Sequence, residues 1–152
     1  MTNLIQQLID EEEGPSSKTV YYVQGLAHVA RGCCIDPKVP GAGLCDAALS
    51  TQDAFDIQRA VSLASVLDGW DKCNDVQQAV LVSLCFQMGS MSGWPDFKRA
   101  LAAGDYELAA DNLLYESPPQ TVWSLFHKQT PARCEREAEM LRTGKWVPYT
   151  PR

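Results

Sequence analysis

The chain has 152 residues, the size of one ordinary domain, and 45% of them are hydrophobic while 21% are charged. This composition excludes a disordered chain and allows one sizeable core. The formal net charge of −6 disfavours binding to a nucleic-acid backbone or an anionic membrane surface, so we expect neither partner. The first residues have no basic segment, and no stretch of the chain is apolar enough to span a membrane. We therefore expect a cytoplasmic protein without a signal peptide or membrane insertion.

The six cysteines do not form a metal-binding pattern. There is no CxxC pair and no histidine at ligand spacing, so we expect no metal and no cofactor. A zinc site built from Cys33, Cys34 and Cys45 is the alternative, but the irregular spacing disfavours it. Most of the cysteines are therefore predicted to be reduced and structural.

The first third of the chain is predicted to form one helix and a short strand pair. Apolar residues at helical spacing indicate a helix over residues 3–13, which Gly14-Pro15 ends. Residues 18–29 are rich in β-branched and aromatic side chains and predict two short strands. Residues 30–49 contain two prolines and three glycines, so we expect them to be irregular.

The remainder is predicted to be helical. Ser50 and Asp53 resemble a capping box at the start of a helix over 52–67. Asn74 is placed to cap the helix Asp75–Met88, whose apolar segment AVLVSLCF predicts the central buried helix. Further helices are expected at 95–103, 105–115, 121–127 and from Thr130-Pro131 to Arg142. The predicted fold class is α+β, mostly α. It comprises one domain with a small hairpin lobe (1–49), a linking helix (50–69) and a helical lobe (70–152).

Three phrases in the second half carry a resemblance to a known family. They are FQMG (86–89), DYELAADNL (105–113) and QTPARCERE followed by LRTGKW (129–146). In this order and at these separations they resemble the T-even phage lysozyme family, which cleaves the glycosidic bond of peptidoglycan. The match covers residues 70–146. The resemblance implies a lysozyme-like fold and a monomeric protein in the cytoplasm of a bacterial host, released to the cell wall by a separate membrane-permeabilising protein.

The amino-terminal part matches the family less completely. Glu13-Gly14 falls where the family has its catalytic Glu-Gly, and residues 25–28 (GLAH) resemble its Gly-Ile-Gly-His. Between Glu13 and His28 the chain is several residues shorter than the family pattern. The missing stretch would carry the catalytic Asp, and the family's next Thr aligns with Val23.

Glu13 is the candidate general acid of glycoside hydrolysis. The carboxyl end of a helix and the neighbouring Glu11 and Glu12 all disfavour negative charge on it, which favours the proton-donating form. The resemblance implies Arg133 as its ion-pair partner, which would orient the carboxyl group and pull towards the charged form. The alternative is that Glu11–Glu13 are a solvated acidic helix end.

A second carboxylate is harder to assign. No acidic residue lies in 14–35, so it must come from Asp36 or Asp46, although a role in a turn is the favoured interpretation of both. Val23 cannot hold a water molecule by hydrogen bonding as a threonine would.

Other positions resemble the substrate-binding groove of the family. Phe86 and Gln87 match residues near the sugars, and His28 matches a structural histidine. The alternatives are core packing for Phe86, helix surface for Gln87 and, as the preferred interpretation, a satisfied interior imidazole for His28. Stacking on sugars is open to three tryptophans, although buried aromatic residues are commoner: Trp94, Trp123 and Trp146.

Three functions remain open at this point. The first is a muramidase-like phage endolysin with Glu13 as general acid and peptidoglycan as substrate. The second is a catalytically degenerate lysozyme fold that binds a glycan, a nucleotide-like small molecule or a host protein. The third is a structural role in a virion or lysis complex. Retention of Glu13 and Arg133 favours the first function, and the shortened hairpin with Val23 favours the second.

Overall fold

The computed structural model describes residues 2–14, 17–23, 26–30, 33–34 and 46–150, with side chains for 4–14 and 52–150. Within these ranges the protein is mostly helical, with seven α-helices and one small antiparallel sheet. None of the helices in this part of the chain combines the length and apolar character needed to cross a membrane.

The amino-terminal elements follow the order expected from the sequence. Helix α1 spans Thr2–Glu13, and three strands follow: β1 (Ser17–Val23), β2 (Leu26–Ala30) and β3 (Cys33–Cys34). The sheet order is β1-β2-β3, and both pairs of strands are antiparallel. The strand pair predicted over 18–29 is therefore present as β1 and β2. The two-residue strand β3 lies in a stretch that we predicted to be irregular.

Helix α2 (Asp46–Ser65) corrects the predicted start of the linking helix. Ser50 was expected to cap a helix beginning near residue 52, but its backbone lies inside α2. The residues before it, Ala47, Ala48 and Leu49, are strong helix formers, so the helix extends through them. Helix α2 packs against β1, β2 and the next helix.

The central helix α3 (Asp75–Met88) is confirmed at both ends. The Asn74 side chain accepts a hydrogen bond from the backbone N–H of Gln77, and the Gln77 side chain accepts one from Asn74 in return. Nine consecutive residues, 77–85, are buried because α1, α2 and the last helix pack around α3. Gly89 ends the helix with a positive φ of 69°.

The carboxyl-terminal helices complete the core. They are α4 (Pro95–Ala103), α5 (Tyr106–Leu114), α6 (Leu125–Gln129) and α7 (Pro131–Thr143). Asp105 caps α5 by accepting a hydrogen bond from the backbone N–H of Leu108 at 3.0 Å. The Thr130 hydroxyl does not cap α7, because it donates to the carbonyl of Phe126 instead. The largest fully buried apolar side chains include Leu8, Ile9, Leu81, Leu84, Phe97, Leu101, Leu113, Met140 and Leu141.

Helix α6 begins later than predicted. The sequence suggested a helical turn at 121–127, but Trp123 forms an isolated antiparallel bridge with Tyr115. Ser124 then caps the helix by accepting a hydrogen bond from the backbone N–H of His127 at 3.0 Å. Trp123 takes part in this bridge and Ser124 has extended backbone, so the helix starts at Leu125.

Three cysteines are free and buried, as predicted: Cys73, Cys85 and Cys134. Burial raises the pKa of Cys85 to about 11. Burial, together with the nearby carboxylates of Glu137 and Glu135, raises the pKa of Cys134 to about 12. The side chains of Cys33, Cys34 and Cys45 lie outside the described part of the chain.

These thiols are expected to resist alkylation. A thiol with a pKa of about 11 is only about one-thousandth thiolate at pH 8, and the thiolate is the reacting form. Cys85 and Cys134 should therefore stay unmodified by iodoacetamide in the native protein at pH 8 and react fully in denaturant. Peptide mass spectrometry measures both states, and rapid native labelling of either residue would contradict the expectation.

Gly69 should be intolerant of a side chain. It has φ +96°, and an added Cβ would lie 2.4 Å from the backbone oxygen of Leu101. Gly104 has φ +73° with nothing within 4 Å of an added Cβ, so it is the matched control. Gly104→Ala should cost about 1–2 kcal/mol of unfolding free energy from strain alone, and Gly69→Ala clearly more. Urea denaturation measures both, and equal losses would show that the close approach to Leu101 does not matter.

Candidate functional site

The acidic end of α1 is fixed in place by the core. Ile5, Leu8 and Ile9 are buried, and α1 packs with this face against α3. Gly14 ends the helix with φ +69°, and its N–H donates to the carbonyl of Asp10 at 3.2 Å. The carboxyl groups of residues 11–13 are therefore carried by a terminal turn whose direction is set by the packing.

Arg133 meets Glu13 across 120 residues of sequence. Its Nη1 donates to Glu13 Oε1 at 2.5 Å, and the Glu13 side chain is 21% exposed while that of Arg133 is 8% exposed. The structure thus brings together the two residues that the resemblance paired. It gives the Glu13 carboxyl one oriented partner and leaves it access to solvent.

Two further groups hold the guanidinium of Arg133. Nη2 donates to Ser83 Oγ at 3.0 Å, and Nε donates to Glu137 Oε1 at 3.1 Å. Ser83 Oγ in turn donates to the same Glu137 oxygen at 2.7 Å. Burial alone would lower the pKa of Arg133, but the carboxylates of Glu137 and Glu13 outweigh it and raise that pKa above its ordinary value. Arg133 therefore stays charged.

Arg136 binds the other two carboxyl groups of α1. Nη1 donates to Glu12 Oε1 at 2.7 Å, Nη2 donates to Glu11 and Nε donates to the carbonyl of Val147 at 2.8 Å. The guanidinium also lies over the rings of Trp146, at 5.2 Å, and Tyr149, at 5.6 Å. The alternative of a solvated acidic helix end is wrong, because α7 supplies partners to all three glutamates.

The cluster carries more carboxyl groups than guanidinium groups. Four carboxyl groups (Glu11, Glu12, Glu13 and Glu137) face two arginines (Arg133 and Arg136). Excess negative charge in a partly buried place favours proton uptake by one of its members. The member whose pKa is raised is Glu137, because it is fully buried.

An open groove of about 650 Å³ borders this cluster. Its walls come from the start of α7, the end of α1 and the segment after α7, and they include Glu12, Thr130, Arg133, Arg136, Val147 and Tyr149. Arg133 reaches this groove, whereas Glu13 is not part of its described wall. In the described residues, no group of three or more His, Cys, Asp or Glu side chains is arranged to hold a metal ion.

The other predicted site residues lie on α3 and in the sheet. Phe86 is half-buried and packs against the core, and Gln87 is exposed near the end of α3. Val23 ends β1 and His28 lies in β2, where it pairs with Tyr21; their side chains lie outside the described residues. Asp36 falls outside them altogether.

The three tryptophans that were candidates for sugar stacking have protein partners. Trp94 meets Phe97 edge to face at 5.7 Å, and Trp146 lies against Arg136. Trp123 stacks on His127 at 3.8 Å and remains 43% exposed. Trp123 therefore stacks on His127 and still keeps exposed ring surface that a ligand could contact.

Sequence reasoning missed three members of the cluster. Ser83 is the one polar residue of the apolar run AVLVSLCF. Because buried polar groups are hydrogen-bonded, this position was the available signal that Ser83 has a buried partner. Glu137 follows Arg133 at i+4, a spacing at which opposite charges meet on a helix. Arg136 lies in the phrase QTPARCERE, but nothing local indicated that it would bind α1.

No family model and no curated protein sequence matches the chain. The resemblance to the T-even phage lysozymes therefore stands on its three phrases and on Glu13-Gly14.

The ion pairs that Arg133 and Arg136 of α7 make with Glu11, Glu12 and Glu13 form a charged clamp on α1. This clamp is expected to contribute much of the stability of this region. Replacing Arg136 by alanine leaves Glu12, whose side chain is 5% exposed, without its ionic partner. Breaking a buried pair in this way costs about 3–5 kcal/mol. Arg142→Ala on the same helix is the control, because it removes three carboxylate contacts that are more exposed and worth about 1 kcal/mol or less each. Urea unfolding of both variants should show the larger loss for Arg136→Ala, and the reverse order would contradict a buried clamp.

Proposed function

We propose that this protein is a lysozyme-like glycoside hydrolase that acts on peptidoglycan. The contact between Glu13 and Arg133 carries the proposal. It joins the Glu-Gly pair at the end of α1 to the QTPAR start of α7, which are the amino-terminal and carboxyl-terminal parts of the resemblance. Chance placement of two residues 120 positions apart would not be expected to give an oriented, partly buried ion pair.

In this proposal Glu13 is the general acid. It protonates the glycosidic oxygen as the bond to the sugar breaks, and Arg133 orients its carboxyl group. The partial exposure of Glu13 leaves room for a substrate oxygen to approach. Phe86 and Gln87 would border the sugars, and the hairpin lobe, linking helix and helical lobe of the lysozyme fold would enclose them.

The second group of the reaction is proposed to come from the stretch that ends at Asp46. Paired carboxyl groups lie about 5 Å apart in retaining glycosidases and about 6.5–9.5 Å apart in inverting ones. Glu11 and Glu12 are both engaged in ion pairs with Arg136, so neither is proposed as the second group. Asp36 and Asp46 are the remaining candidates that the sequence offers, and a water molecule held by other groups would replace them at some loss of rate.

A degenerate, ligand-binding lysozyme fold is the second candidate. It is favoured by the absence of acidic residues from 14–35 and by Val23 at the family's threonine position. The groove of about 650 Å³ beside Arg133 and Arg136 would then receive a glycan fragment, a nucleotide-like molecule or a host protein segment. In both cases we propose a monomer in the cytoplasm of a bacterial host.

The proposal is tested by hydrolysis of purified peptidoglycan. Glu13→Gln keeps the shape of the side chain but cannot donate the proton as a carboxylic acid, so the rate should fall about 100-fold or more. Glu107→Gln, which removes one carboxylate from an exposed pair with Arg142, should keep the wild-type rate. Release of soluble muropeptides over time is the measurement, with circular dichroism to verify folding.

Either of two results would reject the hydrolase. One is a folded wild-type protein that releases nothing above background, in which case the binding candidate is taken up with labelled glycan fragments. The other is equal release by the wild type and Glu13→Gln, which would show that Glu13 is not the acid.

A further inference from the structure

Glu137 is a fully buried carboxyl group on the far side of Arg133 from Glu13. Its side chain is 0% exposed, and its Oε1 accepts hydrogen bonds from Ser83 Oγ at 2.7 Å and Arg133 Nε at 3.1 Å. The Nη1 of the same guanidinium lies 2.5 Å from Glu13. One positive group therefore bridges a buried carboxyl group and a partly exposed one.

The two carboxyl oxygens of Glu137 differ in their hydrogen bonding. Oε2 is buried and has no hydrogen-bond partner among the described residues. An ionised carboxylate accepts hydrogen bonds at both oxygens, so this environment satisfies only half of it. Burial raises the pKa of Glu137, with Arg133 and Ser83 opposing the rise and the charge of Glu12 adding to it. The protonation of Glu137 therefore depends on Arg133, Ser83 and Glu12.

We propose that Glu137 is a positioning residue that controls the protonation of Glu13 through their shared partner, Arg133. This inference rests on the proposed function, in which Glu13 is the acid. When Glu137 is ionised, it takes up part of the charge of Arg133, and Glu13 keeps its proton more readily. When Glu137 is neutral, the full charge of Arg133 acts on Glu13 and favours its carboxylate.

The other charged groups around α7 have partners of their own. Glu11 and Glu12 on α1 bind Arg136, and Asp10 accepts a hydrogen bond from Gln6. From α3 the group that reaches the pair is the hydroxyl of Ser83, which does not titrate. The remaining neighbours pair among themselves or lie as a neutral thiol: Glu107 and Asp111 with Arg142 from α5, His127 of α6 with Glu135, and Cys134.

The test is a carbon-13 NMR titration of the glutamate carboxyl groups in the full chain. The Glu13 signal is assigned by its loss in Glu13→Gln. The inference takes Glu137 as ionised in the wild type while Glu13 titrates, held so by Arg133 and Ser83. In Glu137→Gln the titration midpoint of Glu13 should then fall by about 1 pH unit, because an unopposed guanidinium favours the carboxylate. Glu107→Gln removes the same charge at an exposed pair and should leave the midpoint unchanged.

The activity profile gives a second readout with a defined sign. The acid must be protonated to act, so a lower midpoint moves the basic limb of the rate profile to lower pH. Above the midpoint, Glu137→Gln should be about tenfold slower than the wild type for a shift of about 1 pH unit. Below the midpoint the two rates should converge, whereas a purely structural loss would lower the rate at every pH.

Ser83→Ala protects the test against a folding defect in Glu137→Gln. It removes a hydrogen bond that stabilises ionised Glu137, so it should move the Glu13 midpoint in the same direction by a smaller amount. Should Glu137→Gln fail to fold by circular dichroism, Ser83→Ala decides. Unchanged Glu13 midpoints in the folded variants overturn the inference.

The outcomes also separate this inference from the proposed function. A wild type that does not cleave peptidoglycan but shows the shifted midpoint in Glu137→Gln rejects the hydrolase and supports the coupling of the two carboxyl groups. A wild type that cleaves, with a midpoint unmoved in Glu137→Gln, supports the hydrolase and overturns the role of Glu137.

Discussion

Arg133 brings a guanidinium charge into the place where α1, α3 and α7 meet. Withdrawing such a charge from water costs several kcal/mol, and only well-placed partners offset it. Here each of the three helices supplies one: Glu13, Ser83 and Glu137. Because these partners come from different parts of the chain, satisfying one arginine also fixes how the end of α1 lies against α7. The position of the Glu13 carboxyl group therefore follows from the need to give the buried Arg133 its partners.

The apolar character of α3 makes this arrangement possible. Helix α3 is buried over residues 77–85, so Ser83 reaches Arg133 in a place from which water is largely excluded. Low local polarity strengthens each ionic contact and also raises the cost of any group left without a partner. Glu137 experiences both effects at once, since one of its oxygens accepts two hydrogen bonds and the other accepts none from the residues that the structure describes.

Local signals predicted the helix ends well and the ion-pair cluster only in part. Asn74, Gly89, Gly104 and Gly144 mark helix boundaries because capping depends on neighbours in sequence. The start of α6 was misplaced because the backbone bridge from Trp123 to Tyr115 is a tertiary contact. The pairing of Glu13 with Arg133 came from the resemblance, and the roles of Ser83, Arg136 and Glu137 depend on side chains that meet only after α1, α3 and α7 have packed.

The long sequence separation of the α1 contacts has a consequence for the order of folding. Helices α3 to α7 follow one another in sequence and pack among themselves, whereas Glu13 meets Arg133 only after a loop of about 120 residues has closed. Closing so long a loop costs entropy before its contacts can repay it, which favours their late formation. We therefore expect the charged clamp on α1 to form after the rate-limiting step of folding. It should then slow the escape of α1 from the native state and leave the rate of reaching that state nearly unaffected.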